Sequence, residues 1–521
     1  MRRLTLAALF FSATLSAQYN LPLDRDVHNA YERALNSRFV NAHTAIKPLR
    51  EAQVRALSDS TPGYEYTDSR DARAAGRNDS LPQKSNNDIG AHVIADLRGG
   101  YDLAGKASVL RAFGGLALHG DLRGKLAVEA RFGAGTTTLP AWLDSFAQGH
   151  HVLPGWGDRL YTADSVNYSW QHASGYLSWS PNKVFNFQAG RDKHFWGEGY
   201  RSLFLSDVSG AYPFLKVSAT VWKLQYTSLF AVHNDMTAPS GAKADFRRKY
   251  GSFHYISWNA TKRLNLSLFE AVVWQGADDN RFRGFDPNYL NPVIFFRPVE
   301  YSLGSSDNAM LGFAFKVKAA KGLQLYGQII LDEFFLKEIK AQNGWWANKQ
   351  GGQLGFKGFN LFKVQRLNIQ GEVNVVRPYT YAHGSVQQNY GHANQALAHP
   401  QGANFAEAAG FLNYRWKRWL VEGKTIWCRY GQDTAGLNYG RNIFMSYLTR
   451  PSDYGNKLFQ GLQTDLLQLE LRGAFLLYPP MNVKLEAGFI ARTEKTALRS
   501  DKNAFVWIGL RTALFNDYSD F

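Results

Sequence analysis

LQLELRGAFLL (467–477) places Leu467, Leu469, Leu471 and Phe475 on one side of an extended chain and Gln468, Glu470 and Arg472 on the other. Successive side chains of a strand point to opposite faces, so this period of two describes a strand with one oily and one charged surface. The pattern recurs along the chain. KLAVEARFG (125–133) opposes Leu126, Val128, Ala130 and Phe132 to Glu129 and Arg131, and RLNIQGEVNVV (366–376) opposes Leu367, Ile369, Val373 and Val375 to Asn368, Gln370, Glu372 and Asn374. NVKLEAGFIAR (482–492) and LQLYGQIIL (323–331) behave alike. Strands of a soluble sandwich also alternate, but here no helical interlude long enough to cover a sheet appears after residue 91. The polar faces carry Glu, Arg and Lys together, as a hydrated lumen would, against uninterrupted Leu, Val, Ile and Phe.

The expected fold is therefore all-β and transmembrane: an antiparallel outer-membrane β-barrel over 91–521. At about ten residues per strand plus turns and loops, that length gives about 16–18 strands. The last strand is read in AFVWIGLRTALFNDYSDF (504–521), with Val506, Ile508, Leu510 and Leu514 outward. Phe521 at its end resembles the terminal aromatic signal of outer-membrane insertion. Polar stretches at 341–352 and 383–404 are expected loops.

Composition agrees. A mean hydropathy of -0.33 is too polar for a helical membrane protein, and no apolar run approaches the roughly 20 residues of a spanning helix. Cys428 is the one cysteine, which excludes an internal disulfide framework and a cysteine zinc site. Histidines are dispersed, so no metal or other cofactor is expected. The net charge of +16 comes from scattered Lys and Arg without a basic run, which suits an anionic lipid surface or polymer better than nucleic acid.

The first residues form an address: Arg2 and Arg3, an apolar stretch from Leu4 to Ala13, then small residues up to Ala17. This is a secretory pattern, a signal peptide over 1–17. Residues 18–90 are expected to be a small periplasmic helical element and a polar linker. Leu23, Val27, Ala30, Tyr31, Ala34 and Leu35 recur at helical spacing behind Asp24 or Asp26 as a cap, and Pro48 suits a second helix start.

Three stretches resemble a known family. GRDKHFWGEGYRSLFLSDVSGAYPFLKV (190–217) is the most specific, followed by FDPNYLNPVIFFRPVEYSLGSSDNAMLGFAF (285–315) and LYGQIILDEF (325–334) with GWWANKQGGQLGFKGFN. Together they are similar to the Wzi-like capsule-assembly family of outer-membrane barrels. RPYTYAHGSVQQNYGHANQALAHPQGANF (377–405) looks like the Bacteroidetes-type version, which includes gliding-motility-associated members. The resemblance implies an outer-membrane barrel of about 18 strands with a periplasmic helical bundle. It also implies a lectin-like, non-catalytic role with exported polysaccharide and outer-membrane lipid as partners. The alternative is a barrel component of a motility or secretion assembly, working through surface lipoproteins or other protein partners. A diffusion pore fits less well, because mixed Glu and Arg faces crosslink and fill a lumen. No nucleotide loop or nucleophile elbow supports an enzyme.

Sugars are held by aromatic faces and planar polar groups, and acidic sugars add Arg or Lys. The candidate residues on that chemistry are Arg191, Lys193, His194, Trp196, Glu198, Tyr200 and Arg201. Trp345 and Trp346 come next, then Tyr381, His383, Tyr390 and His392. The same residue types also serve lumen packing, where cations and anions pair and aromatics fill space. The 190–207 stretch is expected to be a strand-to-loop junction whose polar face points into the lumen.

Overall fold

The computed structural model describes residues 19–51, 53–54, 87–122, 124–157, 167–236, 246–277, 283–291, 307–333, 335–434, 436–512 and 514–521. The expected signal peptide and most of the expected linker lie outside these residues. Eighteen antiparallel strands close into one barrel. They are β1 (Asn87–Asp102), β2 (Ala107–Leu122), β3 (Leu126–Thr137), β4 (Tyr168–Trp179), β5 (Phe185–Asp192) and β6 (Tyr212–Val221). Next come β7 (Leu224–Asp235), β8 (Arg247–Trp258), β9 (Leu264–Gln275), β10 (Asn308–Ala320), β11 (Leu323–Glu333) and β12 (Lys349–Phe359). The last six are β13 (Leu367–Val376), β14 (Phe405–Trp416), β15 (Trp419–Gln432), β16 (Leu462–Tyr478), β17 (Val483–Thr496) and β18 (Ser500–Arg511). β1 starts inside the stretch read as linker, and Lys349 to Gly352, expected in a loop, begin β12.

Each strand pairs with its neighbours in sequence, and β1 pairs with β18 from Asp96↔Arg511 to Asp102↔Phe505. The alternation sorts as expected. Leu467, Leu469 and Leu471 are 42–58% exposed, whereas Gln468 on the same strand is fully buried. One end of the barrel has only short turns and receives both the start of β1 and the end of β18. In outer-membrane barrels that end is periplasmic, and the longer connections are extracellular.

The lumen holds a packed core rather than water between charges. Among the described residues, the segments that enter it include 19–54, the β3–β4 connection at Leu153 and Trp156, the β5–β6 connection, the β13–β14 connection and the tail after β18. Trp196 lies at the centre, with edge contacts to Phe253 (6.2 Å), Tyr255 (5.8 Å) and Phe269 (6.0 Å). Phe204 stacks on Phe269 at 4.5 Å and sits against Gly312, where a Cβ would come within 2.4 Å of its ring. Leu203, Leu205, Tyr381, Tyr390, Leu397 and Leu466 extend this cluster to the wall. The expected charged, hydrated interior is corrected accordingly: with so much chain inside, apolar side chains on connections find apolar wall residues to bury against.

Helix α1 (Arg25–Leu35) is capped by Asp24, whose carboxylate accepts from the amides of Asp26 and Val27. It lies within the periplasmic mouth. Leu21, Tyr31, Leu35, Val40, Ala42 and Val54 form a small core that belongs to this segment alone. To the wall it is joined mainly by ion pairs: Asp26 with Arg472 (2.6 Å) and Lys484 (2.5 Å), Arg25 with Glu422 (3.1 Å), and Glu32 with Lys357 (2.5 Å). Ile46 and Lys47, just before the expected second helix start, pair with Trp196 and Phe195 in a two-residue ladder.

The tail departs most from expectation. β18 ends at Arg511, the Thr512 amide makes a last bond to the Ala95 carbonyl (2.8 Å), and the chain turns inward. Leu514 is buried rather than lipid-facing, and Phe521 packs on Phe146 (4.6 Å) inside the barrel. Asp517 pairs with Arg98 (2.8 Å) and Arg111 (3.1 Å), which accounts for the turn: these lumen cations need a counter-charge. Helix α2 (Ala141–His150) covers this side of the extracellular mouth, with Trp142 Nε1 donating to the Ser519 carbonyl (2.9 Å).

One outer face is also covered. Val272 and Trp274 of β9 and Ser252 and His254 of β8 alternate with lumen residues yet are fully buried, because Phe285 and Tyr289 of the β9–β10 connection lie against them. His254 is enclosed by Ser252 (2.9 Å at Nε2) and by the Tyr226 hydroxyl (2.5 Å at Nδ1).

The lipid-facing assignment predicts that Leu469→Arg, near the middle of β16, costs about 2–4 kcal/mol of folding stability in bilayers. Equilibrium folding into lipid vesicles checks this, and a neutral outcome would mean that the face does not meet lipid.

Candidate functional site at the extracellular mouth

The residues singled out at 191–201 do not form one open site. Arg191 shares its side of β5 with Phe185 and Ala189, is exposed on the outer wall and donates to the Ala173 carbonyl. The rest of the group is buried in the lumen. Lys193 donates to the carbonyls of Gly155 and Asp207 (3.1 Å to the latter), and His194 meets the Phe214 ring edge-on at 4.5 Å. Glu198 pairs with Lys316 (3.1 Å) and accepts from the Thr44 hydroxyl (2.6 Å). The Tyr200 hydroxyl donates to Asp520 (2.7 Å). Arg201 makes a two-pronged bond to Glu407 (3.1 Å each) and pairs with Asp520 (3.3 Å). The amides of Tyr200 and Arg201 both donate to Glu372 (2.8 and 2.9 Å).

This block therefore joins the first segment, the wall and the tail at one place. Burial opposes the Glu198 carboxylate, but Lys316, Lys47 and Lys357 outweigh it and bring the group down to about 2. Two carboxylates on Arg201 and three cations near Glu198 are what charges need when removed from water.

The β13–β14 residues lie at intermediate depth. Tyr381 and Tyr390 stack at 5.6 Å, and their hydroxyls donate to the carbonyls of Leu203 (2.8 Å) and Phe204 (2.6 Å). His392 accepts from the Asn234 amide (3.0 Å) beside His233. All three are buried. His383 is buried too, but its ring touches Tyr447 (5.6 Å), and this contact leads to the surface.

At that surface Trp345 and Trp346 meet a segment that sequence reading did not single out. The β11–β12 and β15–β16 connections are sewn together by backbone bonds. Trp346 donates to Asp453, Gly455 to Asn343 and Asn456 to Gly344, each at 2.9 Å. Gly344 has φ +71 and lies against the Asn456 backbone, so a side chain there would be both strained and obstructed. The seam sets Trp345 beside Tyr454 (5.0 Å) and Trp346 beside Tyr447 (4.6 Å). The Arg450 guanidinium covers Trp346 at 4.0 Å and pairs with Asp453 (2.7 Å). Tyr454 is 51% exposed, both tryptophans are half-buried, and Lys337, Lys340 and Lys457 are exposed nearby in sequence. The result is a fixed shelf of aromatic faces with planar polar groups. Its second half comes from a stretch more than 100 residues away, which no local pattern could have joined to the first.

No protein-family model matches the sequence, and no curated protein matches it. Among solved structures, the barrel superposes on Wzi of Escherichia coli, an outer-membrane protein involved in group 1 capsule assembly and described as a carbohydrate-binding β-barrel. The TM-score is 0.59 at 14% identity, covering 94% of this chain and 98% of Wzi. OprD of Pseudomonas aeruginosa (TM-score 0.41, 11% identity, 81% of this chain and 94% of OprD) and OpdK of the same organism (0.44, 8%, 82% and 98%) overlap less well. This chain is an outer-membrane β-barrel. At these identities the likeness is one of fold, and it agrees with the strand count, the closed sheet and the apolar exterior described above.

The Glu198 environment gives a pH test. The folded carboxyl ionises near 2 and an unfolded one near 4.5. Its stabilisation is therefore complete above about pH 4.5 and is lost as pH falls through 2. Glu198→Gln should unfold at a lower temperature than wild type at neutral pH, with the gap closing between those two pH values. Thermal unfolding in detergent measures it, and a gap independent of pH would remove the assignment.

Proposed function

We propose that this protein holds exported polysaccharide at the outer surface of the outer membrane, as a binding protein without chemistry of its own. The observation that carries the reading is a rigid aromatic shelf at the extracellular mouth of a barrel filled by its own chain. Sugar rings present C–H patches that lie on aromatic faces, and their hydroxyls are reached by guanidinium, carboxylate and imidazole groups. Trp345 and Tyr454 supply the faces, while Arg450 and Asp453 supply the polar reach. The seam between the two connections orders them before any ligand arrives, which lowers the entropic cost of binding.

The filled lumen favours this over solute diffusion. The cavity between α1, the wall and the tail, lined by Asp24, Arg98, Arg472 and Asp517 among others, measures about 70 Å³, room for a handful of waters. Wzi, whose barrel this one resembles, is described as binding carbohydrate, which supports the same reading.

Trp345→Ala and Tyr454→Ala should each weaken retention of exported polysaccharide by roughly fivefold to tenfold, as expected for truncating an aromatic anchor. Arg191→Ala, on the outer wall, should leave retention unchanged. Polymer pull-down with purified variants checks both, and equal retention by all three would take the shelf out of the binding surface. In planar bilayers the wild type should give no large steady conductance; if it does, the barrel is a pore.

A further inference from the structure

The turns at the periplasmic end share one composition. Those at 123–125, 180–184, 222–223, 259–263, 321–322, 360–366 and 417–418 each contain Lys or Arg, and only 479–482 does not. None of the eight contains Asp or Glu. Most of the longer extracellular connections, by contrast, mix both signs, with Asp144, Asp286, Glu338, Asp433 and Asp453 among their acids, while 103–106, 377–404 and 497–499 carry Lys or Arg without an acid. Lys125, Lys183, Lys262, Lys321, Lys363 and Lys417 are exposed. They also differ from lumen cations such as Arg472, Lys484 and Lys357, which pair with carboxylates of α1.

Aromatic side chains stand among these cations. Trp222 is 78% exposed and Phe362 89%, with Trp416 and Trp419 flanking Lys417 and Arg418. The Lys223 ammonium lies 5.0 Å from the Trp222 ring centre, and that of Lys417 lies 5.3 Å from Trp416. Immediately above are the lipid-facing Val221, Leu224, Leu323 and Leu412.

We propose that this ring of turns binds the anionic headgroups of phospholipids in the periplasmic leaflet. Two features select a leaflet over a protein or a soluble polymer. The cations run around the circumference, on seven of eight turns. A partner docked on one side would leave most of them unused, whereas a leaflet surrounds the wall and reaches them all. They also sit with exposed Trp and Phe directly below an apolar belt, at the level where aromatic rings lie among headgroups and lysine stems reach outward from the acyl region. Each cation close to an anionic surface favours it by about fivefold. The ring thereby fixes the depth of the barrel and gathers acidic lipid around the end that α1 closes.

The test uses the full chain reconstituted in vesicles of equimolar phosphatidylglycerol and phosphatidylcholine, followed by native mass spectrometry of retained lipid. Wild type should retain phosphatidylglycerol over phosphatidylcholine by about fivefold or more, and salt at about 0.5 M should reduce that preference. The quadruple variant K183Q/K262Q/K321Q/K417Q, confirmed as folded by its heat-modifiable gel mobility, should fall close to the bulk ratio. K337Q/K340Q/K457Q, on the extracellular side, should keep the wild-type ratio. Retention by wild type in the bulk ratio, or full preference in the folded quadruple variant, overturns the proposal. If the quadruple variant does not fold, the salt response of the wild-type ratio decides alone, and a salt-independent ratio overturns it. Capture of soluble polyglutamate by wild type without any lipid preference would assign the ring to an acidic polymer and also overturn it.

Discussion

Within a bilayer every backbone N–H and C=O must find a partner in the protein, because lipid supplies none. That requirement organises this chain. Eighteen strands satisfy it by pairing in sequence order and then joining β1 to β18. Once closed, the sheet has two unlike surfaces, and the period-two sequence divides between them. Leucines at 467, 469 and 471 meet lipid, while Gln468 and Glu470 face a space shielded from it.

That space is itself largely dry. Removing so much chain from water leaves many charges without solvent, and the structure compensates by matching them. Arg201 lies between Glu407 and Asp520, Asp517 between Arg98 and Arg111, and Asp26 between Arg472 and Lys484. Breaking one such pair strands its partner, at a cost of about 3–5 kcal/mol. Around Trp196 the matching is apolar, ring against ring. The same filling gives the extracellular connections a firm base, and on it the seam between 343–346 and 453–456 can hold its aromatic faces in fixed positions.

The wall was legible from the sequence because alternation is a local property. Leu126, Phe132, Val373 and Leu485 all face outward as their spacing implied, and Asp24 caps the helix expected behind it. What could not be read depends on contacts between distant segments. ALFNDYSDF continues the apolar pattern of β18, yet Asp517 and Asp520 draw it inward to arginines hundreds of residues earlier. Trp274 and His254 obey the alternation of an outer wall, but a connection covers them. In the 190–207 stretch the junction and its inward polar face were legible, whereas the burial of Trp196 and Arg201 was not, since aromatic and charged residues suit a ligand or a plug equally. Trp345 and Trp346 stood out by type, but their companions Tyr447, Arg450 and Tyr454 are brought to them only by the closed barrel.

The inward tail makes closure and filling interdependent. β18 must pair with β1 to seal the cylinder, and the residues directly after it bind Arg201, Arg98 and Tyr200 inside. A cylinder sealed while empty would strand Arg98 of the wall, and a tail left outside would leave the carboxylates of Asp517 and Asp520 without their cation partners. Sealing of the last strand and packing of the interior therefore stabilise each other through the ten residues that follow Arg511.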